Sequence, residues 1–112
     1  MVIAMIVTEA EIDDWHEQER KKVIRCPSGM PEAAKKEWRR VASVLYDNGL
    51  LIFLERMLLQ VYCETYAHYI DTAEKLKEIE DPEEKKIYQE IAEDYKESAR
   101  DLAKEFFLEF HE

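Results

Sequence analysis

Residues that let a chain reverse its direction are scarce in this sequence. Its 112 residues include only two glycines and three prolines, while hydrophobic residues make up 46% of the total. The short apolar start, Met1–Val7, is the only β-like run, and alternation of apolar and polar residues between turn signals is otherwise missing. The sequence therefore predicts a single all-α domain with few, long helices.

Two of these helices are predicted on either side of Asn48-Gly49. Before this turn, apolar residues recur at the three- and four-residue steps of a helix, at Trp38, Val41, Ala42 and Leu45. The opposite face of the same helix is cationic and carries Lys35, Lys36, Arg39 and Arg40. Gly49 can adopt the left-handed conformation that ends a helix. A second apolar stripe follows at Leu51, Leu54, Leu58, Val61, Tyr62, Thr65 and Tyr69.

The other helix ends carry their own signals. Thr8-Glu9-Ala10-Glu11 fits a capping box that opens a first helix. The segment Arg25–Pro31, with two prolines and a glycine, predicts a linker. Asp81 and Pro82 are typical of the start of a last helix. We expect one helix from about Phe53 to Glu80 and another from about Pro82 to Phe110, whose buried stripe is Ile87, Ile91, Tyr95, Leu102 and Phe106, with Ala99 in close contact.

Two long helices joined by a minimal loop would form an antiparallel hairpin. One short helix could not cover all the apolar surface of such a hairpin, so we expect hairpins of several copies to stack around an axis. The predicted oligomer interface comprises Leu54, Leu58, Val61, Tyr62, Tyr69, Ile91, Tyr95, Leu102 and Phe106. The apolar start Met1–Val7 either packs on its own helices or lies on a neighbouring subunit, and both alternatives remain open.

Charge is distributed unevenly along the chain. The net charge is −10 overall, but it is −6 over residues 1–19, +5 over residues 20–56 and −9 over residues 57–112. A cationic middle between anionic ends predicts a localised contact with a polyanion, although solvated helix faces can also vary in sign without any partner. The candidate DNA-binding residues are Lys21, Lys22, Arg25, Lys35, Lys36, Arg39 and Arg40, whose phosphate contacts would give affinity with little sequence discrimination.

Three segments in this region resemble a known family. They are Ala34-Lys35-Lys36-Glu37-Trp38-Arg39-Arg40, then Asn48-Gly49-Leu50-Leu51, then Tyr62-Cys63-Glu64-Thr65-Tyr66. Their order and spacing resemble the A-K-x-E-W-x-R, G-L-L and Y-C-x-x-Y segments of phage terminase small subunits. A weaker similarity to the later helix of that family runs from Ile91 to Lys104. The clear resemblance covers roughly residues 30–75.

The resemblance implies a non-enzymatic subunit that recognises viral double-stranded DNA and delivers it to a large subunit, which carries the ATPase and nuclease, in the cytoplasm of a bacterial host. Residues 1–48 would form a helical region with the basic DNA-contact face, and residues 49–112 the hairpin of a homo-oligomeric ring. The chain departs from the family at Ile52 and Glu55, where relatives carry a Thr and an Asp that cap a helix. It also ends in an acidic, aromatic segment, Phe107–Glu112, where many relatives have a basic tail.

Two other functions remain open from the residues themselves. A helical transcriptional regulator would share the basic helix but form a dimer, and a protein-interaction scaffold would use the acidic hairpin without binding DNA. Catalytic and metal sites are not predicted. Glu64 and His68 lie one turn apart but lack the second Glu-x-x-His of a di-iron bundle, and Cys63 is poorly placed relative to His68 for a nucleophile–base pair. With no Gly-rich phosphate loop, no cofactor is expected. Cys26 and Cys63 are expected to be free thiols, and no segment is long enough to span a membrane.

Overall fold

The computed structural model describes residues 9–108, which are almost entirely helical. Four α-helices follow one another in this part of the chain: α1 (Glu9–Ile24), α2 (Glu32–Asp47), α3 (Arg56–Leu76) and α4 (Pro82–Glu105). A single 3₁₀ turn, Phe53–Glu55, precedes α3. The all-α prediction is therefore confirmed. The predicted capping box at Thr8 and the apolar start Met1–Val7 lie outside the described residues.

The core forms where α2 packs between α1 and α3. All four residues of the predicted apolar stripe of α2 are buried, which confirms that helix and its orientation: Trp38, Val41, Ala42 and Leu45. They meet Leu59, Tyr62 and Cys63 of α3, which are also buried. Near the other end of the chain, Ala103 of α4 and Phe106, which directly follows α4, complete the same cluster. The apolar contact of these side chains is the main favourable term that orders α2.

The end of α1 is fixed to α2 and α3 by polar contacts as well. The indole nitrogen of Trp38 donates to the carbonyl of Ile24 at 2.8 Å. The guanidinium of Arg56 donates to the carbonyl of Val23 at 3.0 Å and also to that of Arg25. These donors satisfy carbonyls that the end of a helix leaves without an intrahelical partner. The C-terminal end of α1 is thus held in place, whereas residues 12–19, further towards its N-terminus, are all exposed.

The predicted linker and the turn at Gly49 are both confirmed. The segment between α1 and α2 is irregular, and Gly29 has a φ of 83°. Gly49 has a φ of 72°. At this end of α2, the backbone amide of Gly49 donates a hydrogen bond to the carbonyl of Tyr46 at 3.0 Å. The amide of Leu50 donates to the carbonyl of Leu45 at 2.8 Å. This double closure is a Schellman motif, in which glycine is the favoured residue.

The last two helices are shorter than the sequence predicted. The α-helix of α3 begins at Arg56 because the 3₁₀ turn comes first, and it ends at Leu76 because residues 77–81 form the connection to α4. The predicted cap of α4 is confirmed, since the Asp81 carboxylate accepts a hydrogen bond from the amide of Glu84 at 3.3 Å and Pro82 follows it. Packing of α3 along α4 gives the molecule an elongated shape, 76 × 22 × 19 Å.

The end of α4 at Glu105 also corrects the predicted end near Phe110. The backbone amide of Phe107 donates a hydrogen bond to the carbonyl of Lys104 at 3.1 Å, and the amide of Leu108 donates to the carbonyl of Ala103 at 2.9 Å. This is a second Schellman motif, but its left-handed residue is Phe107, with a φ of 57°. Burial of Phe106 and partial burial of Leu108 against the core draw the chain into this turn. Residues 109–112, the remainder of the predicted acidic and aromatic segment Phe107–Glu112, lie outside the described residues.

Candidate nucleic-acid interface

The four predicted cations of α2 differ in their distance from the buried face, since Lys35 precedes Trp38 by three residues and so lies at the edge of that face. Lys36, Arg39 and Arg40 are exposed, and Lys35 is half-buried. Arg39 makes an ion pair with Glu32 at 3.3 Å, in which both side chains are largely exposed. An exposed pair of this kind contributes little to stability and can yield to a stronger partner. The helix therefore presents a cationic outer face, which we define as Lys35, Lys36 and Arg39.

Arg40 is engaged within the protein. Its guanidinium donates two hydrogen bonds to the carboxylate of Glu37, one of them from Nη2 to Oε2 at 2.9 Å. Glu37 is only 4% exposed and also accepts a hydrogen bond from the hydroxyl of Tyr62. The hydrogen bond to Glu37 is the main cause that raises the pKa of Arg40 above its usual value. Arg40 thus neutralises a buried carboxylate, a role that the sequence analysis missed although Glu37 lies three residues before it, at the edge of the apolar stripe.

The cations at the end of α1 belong to a different surface. Lys22 and Arg25 line a cleft of about 650 Å³ together with Phe53, Arg56 and Gln60. Lys21 is exposed on the same end of the helix. We call this site the α1–α3 cleft.

Lys36 and Arg40 line a smaller cleft, about 330 Å³, beside Tyr66 and Ile70. The two clefts have no lining residue in common. The seven predicted DNA-binding residues are therefore split between the outer face of α2 and the end of α1.

The predicted oligomer-interface residues fall into three classes of exposure. Leu54 is 86% exposed, and Leu58, Val61 and Ile91 are exposed to a lesser degree. Tyr69, Tyr95 and Leu102 are half-buried, and the ring of Tyr95 stacks on that of His68 at 5.3 Å between centroids.

Tyr62 and Phe106 are each 1% exposed in the core of the single chain. Because they fill this core, they leave no surface for a second copy to contact, and the candidate interface is reduced by these two residues.

The structure gives ordinary surroundings to the residues considered for other chemistry. Glu64 accepts a hydrogen bond from the amide of Gln60 at 3.0 Å, and His68 stacks on Tyr95. Burial raises the pKa of the Cys63 thiol, which keeps it in the protonated and unreactive form. Among residues 9–108 there is no cluster of three or more side chains that could hold a metal ion. In the same range, no helix is long and apolar enough to cross a bilayer.

Comparison with known proteins gives one match. The model of a family described as phage terminase, small subunit, matches residues 34–110. The match begins two residues into α2 and includes the cationic outer face, α3 and α4, whereas α1 lies outside it. Searches of curated proteins and of solved structures give no match.

Proposed function

Because the chain belongs to the phage terminase small-subunit family, we propose that it binds viral double-stranded DNA and delivers it to the large terminase subunit at the start of genome packaging. The observation that carries this proposal is the coincidence of the family match with the cationic outer face of α2. Catalysis would belong to the large subunit, and this chain would act in the cytoplasm of the bacterial host as a regulatory DNA-binding component.

The cationic outer face suits the phosphate backbone of DNA better than it suits base recognition. Lys35, Lys36 and Arg39 occupy one turn of a helix that is anchored through the buried Trp38. Contacts from such side chains to phosphates release counterions and give salt-dependent affinity. Arg40 adds little net positive potential to this face, because its guanidinium is paired with the carboxylate of Glu37.

The two parts of the chain would have different roles, one in DNA contact and the other in assembly. Residues 1–48 would supply the DNA contact. Residues 49–112 would form an antiparallel hairpin from α3 and α4, and hairpins of several copies would assemble into a ring. Exposed apolar residues of α3, of α4 and of the 3₁₀ turn before α3 support this assembly, since a monomer gains nothing by exposing them to water: Leu54, Leu58, Val61 and Ile91.

A charge-reversal pair tests the DNA contact. Lys35→Glu with Lys36→Glu should reduce the slope of log affinity against log salt concentration by about 2 or more, since each lost phosphate contact removes about 0.9. The matched control is Lys85→Glu with Lys86→Glu, two adjacent exposed lysines on α4 that make the same change in net charge. If the slope of log affinity against log salt concentration is the same for the two variants, the cationic outer face of α2 does not contact the DNA. Arg40 is left unchanged in this variant, because its removal would leave the buried carboxylate of Glu37 without its cationic partner.

A further inference from the structure

The N-terminal half of α1 carries two large apolar side chains that are exposed in the part of the chain that the structure describes. Trp15 is 56% exposed and Ile12 is 39% exposed. They lie three residues apart and therefore on one face of the helix. Aspartates and glutamates surround them in the sequence, and the first cation in the chain is Arg20. This segment is an acidic helix with an indole on its surface, and exposed tryptophan of this kind is typical of protein interfaces.

The α1–α3 cleft has the complementary chemistry. Lys22, Arg25 and Arg56 supply positive charge, and Phe53 supplies an aromatic wall that is 56% exposed. Apolar surface continues beyond the cleft at Leu54 and Met57, which are 86% and 77% exposed. A cleft of about 650 Å³ with an aromatic wall and guanidinium groups suits an indole ring, which gains both apolar contact and cation–π attraction there.

Trp15 does not line the cleft of its own chain. Lys22 and Arg25, which do, lie seven and ten residues further along, and Trp15 to Ile24 is continuous helix, so the position of the indole is fixed. At 1.5 Å per residue, these separations are about 10 and 15 Å along the helix axis. The contact therefore needs a second copy.

We propose that the N-terminal half of α1 docks into the α1–α3 cleft of a neighbouring copy. Trp15 fills the cleft, and the negative charge of the helix beside it, including Asp14, faces Lys22 and Arg25 of that neighbour. This contact rests on the proposed assembly into a ring and deepens it, because it names the two surfaces that meet. The two surfaces are different patches of the chain, so the contact is of the head-to-tail type, which closes into a ring when the rotation between copies allows.

The proposal also divides the cationic middle of the chain between two anionic partners. The outer face of α2 serves DNA, and the end of α1 serves the acidic helix of the next copy. In keeping with this division, Lys36 of the outer face lines one cleft, whereas Lys22 and Arg25 line the other.

Charge swaps on the two surfaces test the contact, with mass in solution measured by light scattering after size exclusion. Asp13→Lys with Asp14→Lys should weaken self-association at least tenfold, and so should Lys22→Glu with Arg25→Glu. An equimolar mixture of the two variants should recover assemblies of wild-type mass, because each variant keeps the surface that the other needs. Glu78→Lys with Glu80→Lys, in the exposed connection between α3 and α4, makes the same change in charge as the aspartate pair and should leave the mass unchanged.

Trp15→Ala should weaken association by a similar factor without a change in net charge, and circular dichroism of each variant reports whether it stays folded. A wild-type protein that is monomeric would overturn the proposal, as would swap variants that assemble normally or a mixture that stays dissociated. DNA binding is measured separately with the Lys35 and Lys36 variant. If DNA binding remains salt-dependent but the charge-swap variants do not change self-association as expected, the proposed function is retained and only this interface is rejected.

Discussion

The hydroxyl of Tyr62 on α3 donates a hydrogen bond to the buried carboxylate of Glu37 on α2. The same carboxylate accepts two hydrogen bonds from the guanidinium of Arg40, which approaches it from the solvent side. A carboxylate that is 4% exposed would destabilise the core if it had no such donors. The three side chains therefore fix the position of α2 on α3 in a way that apolar packing alone would not.

Removing the hydroxyl should weaken this junction. Tyr62→Phe keeps the ring but withdraws one donor from Glu37, so the free energy of unfolding should fall by about 1–2 kcal/mol. Urea denaturation followed by circular dichroism measures it. Tyr88→Phe, at a half-buried position on α4, is the control and should change stability by less than about 0.5 kcal/mol. Equal stability of the Tyr62→Phe variant and the wild type would show that the hydrogen bond contributes nothing.

The buried Cys63 predicts loss of stability at alkaline pH. Burial raises the pKa of this thiol in the folded protein, whereas in the unfolded chain it ionises near pH 8.5. Above that pH the folded state binds one proton more than the unfolded state. The free energy of unfolding should therefore fall as pH rises, by up to about 1.4 kcal/mol per pH unit.

Two alanine variants isolate this effect. Cys63→Ala should remove the contribution of the thiol and give a shallower decline between about pH 8.5 and 10. Cys26→Ala, which removes a half-buried thiol, is the matched control. Slopes rather than absolute stabilities are compared, since removal of a buried sulfur also leaves a small cavity. A Cys63→Ala variant with the wild-type slope would contradict the assignment.

Local signals in the sequence were sufficient for most helix boundaries. The stripe through Trp38 and Leu45 predicted which face of α2 is buried, and Gly49 and Pro82 predicted an end and a beginning that the structure confirms. At the departure from the family pattern, Glu55 still accepts a hydrogen bond from the amide of Ile52 at 3.3 Å. Half of a capping box therefore survives there, although the side chain of Ile52 has no acceptor of its own.

The features that sequence analysis missed depend on contacts distant in the chain. Nothing near Arg56 indicates that it reaches the carbonyls of Val23 and Arg25, more than thirty residues earlier. The pairing of Arg40 with Glu37 is local, but it matters because Tyr62 and the core bury Glu37. The end of α4 has no glycine or proline, so the turn at Phe107 follows from the burial of Phe106 and the partial burial of Leu108.

Phe107 is therefore a site where a substitution should stabilise the protein. Its left-handed backbone costs a non-glycine residue about 1–2 kcal/mol, and its side chain is 81% exposed and adds little to the core of the chain. Phe107→Gly removes the strain at an entropic cost of about 0.5–1 kcal/mol in the unfolded chain, for a net gain of roughly 0.5–1 kcal/mol. Phe107→Ala keeps the strain and should give no gain. Thermal unfolding of the two variants and the wild type tests this prediction, and an equal unfolding temperature for Phe107→Gly and Phe107→Ala would contradict it.

Assembly should depend on the apolar surface of α3. Leu58 is 37% exposed and follows Leu54 by one helical turn, so Leu58→Asp places a charge within the proposed ring interface. Burying an unpaired carboxylate against another copy is strongly unfavourable. The mass measured by light scattering should therefore fall toward that of a single chain, while circular dichroism shows unchanged helix content. Val44→Asp on α2, at a position that is 58% exposed and outside the proposed interface, is the matched control. A Leu58→Asp protein with the mass of the wild type would place the ring contacts on another face of the molecule.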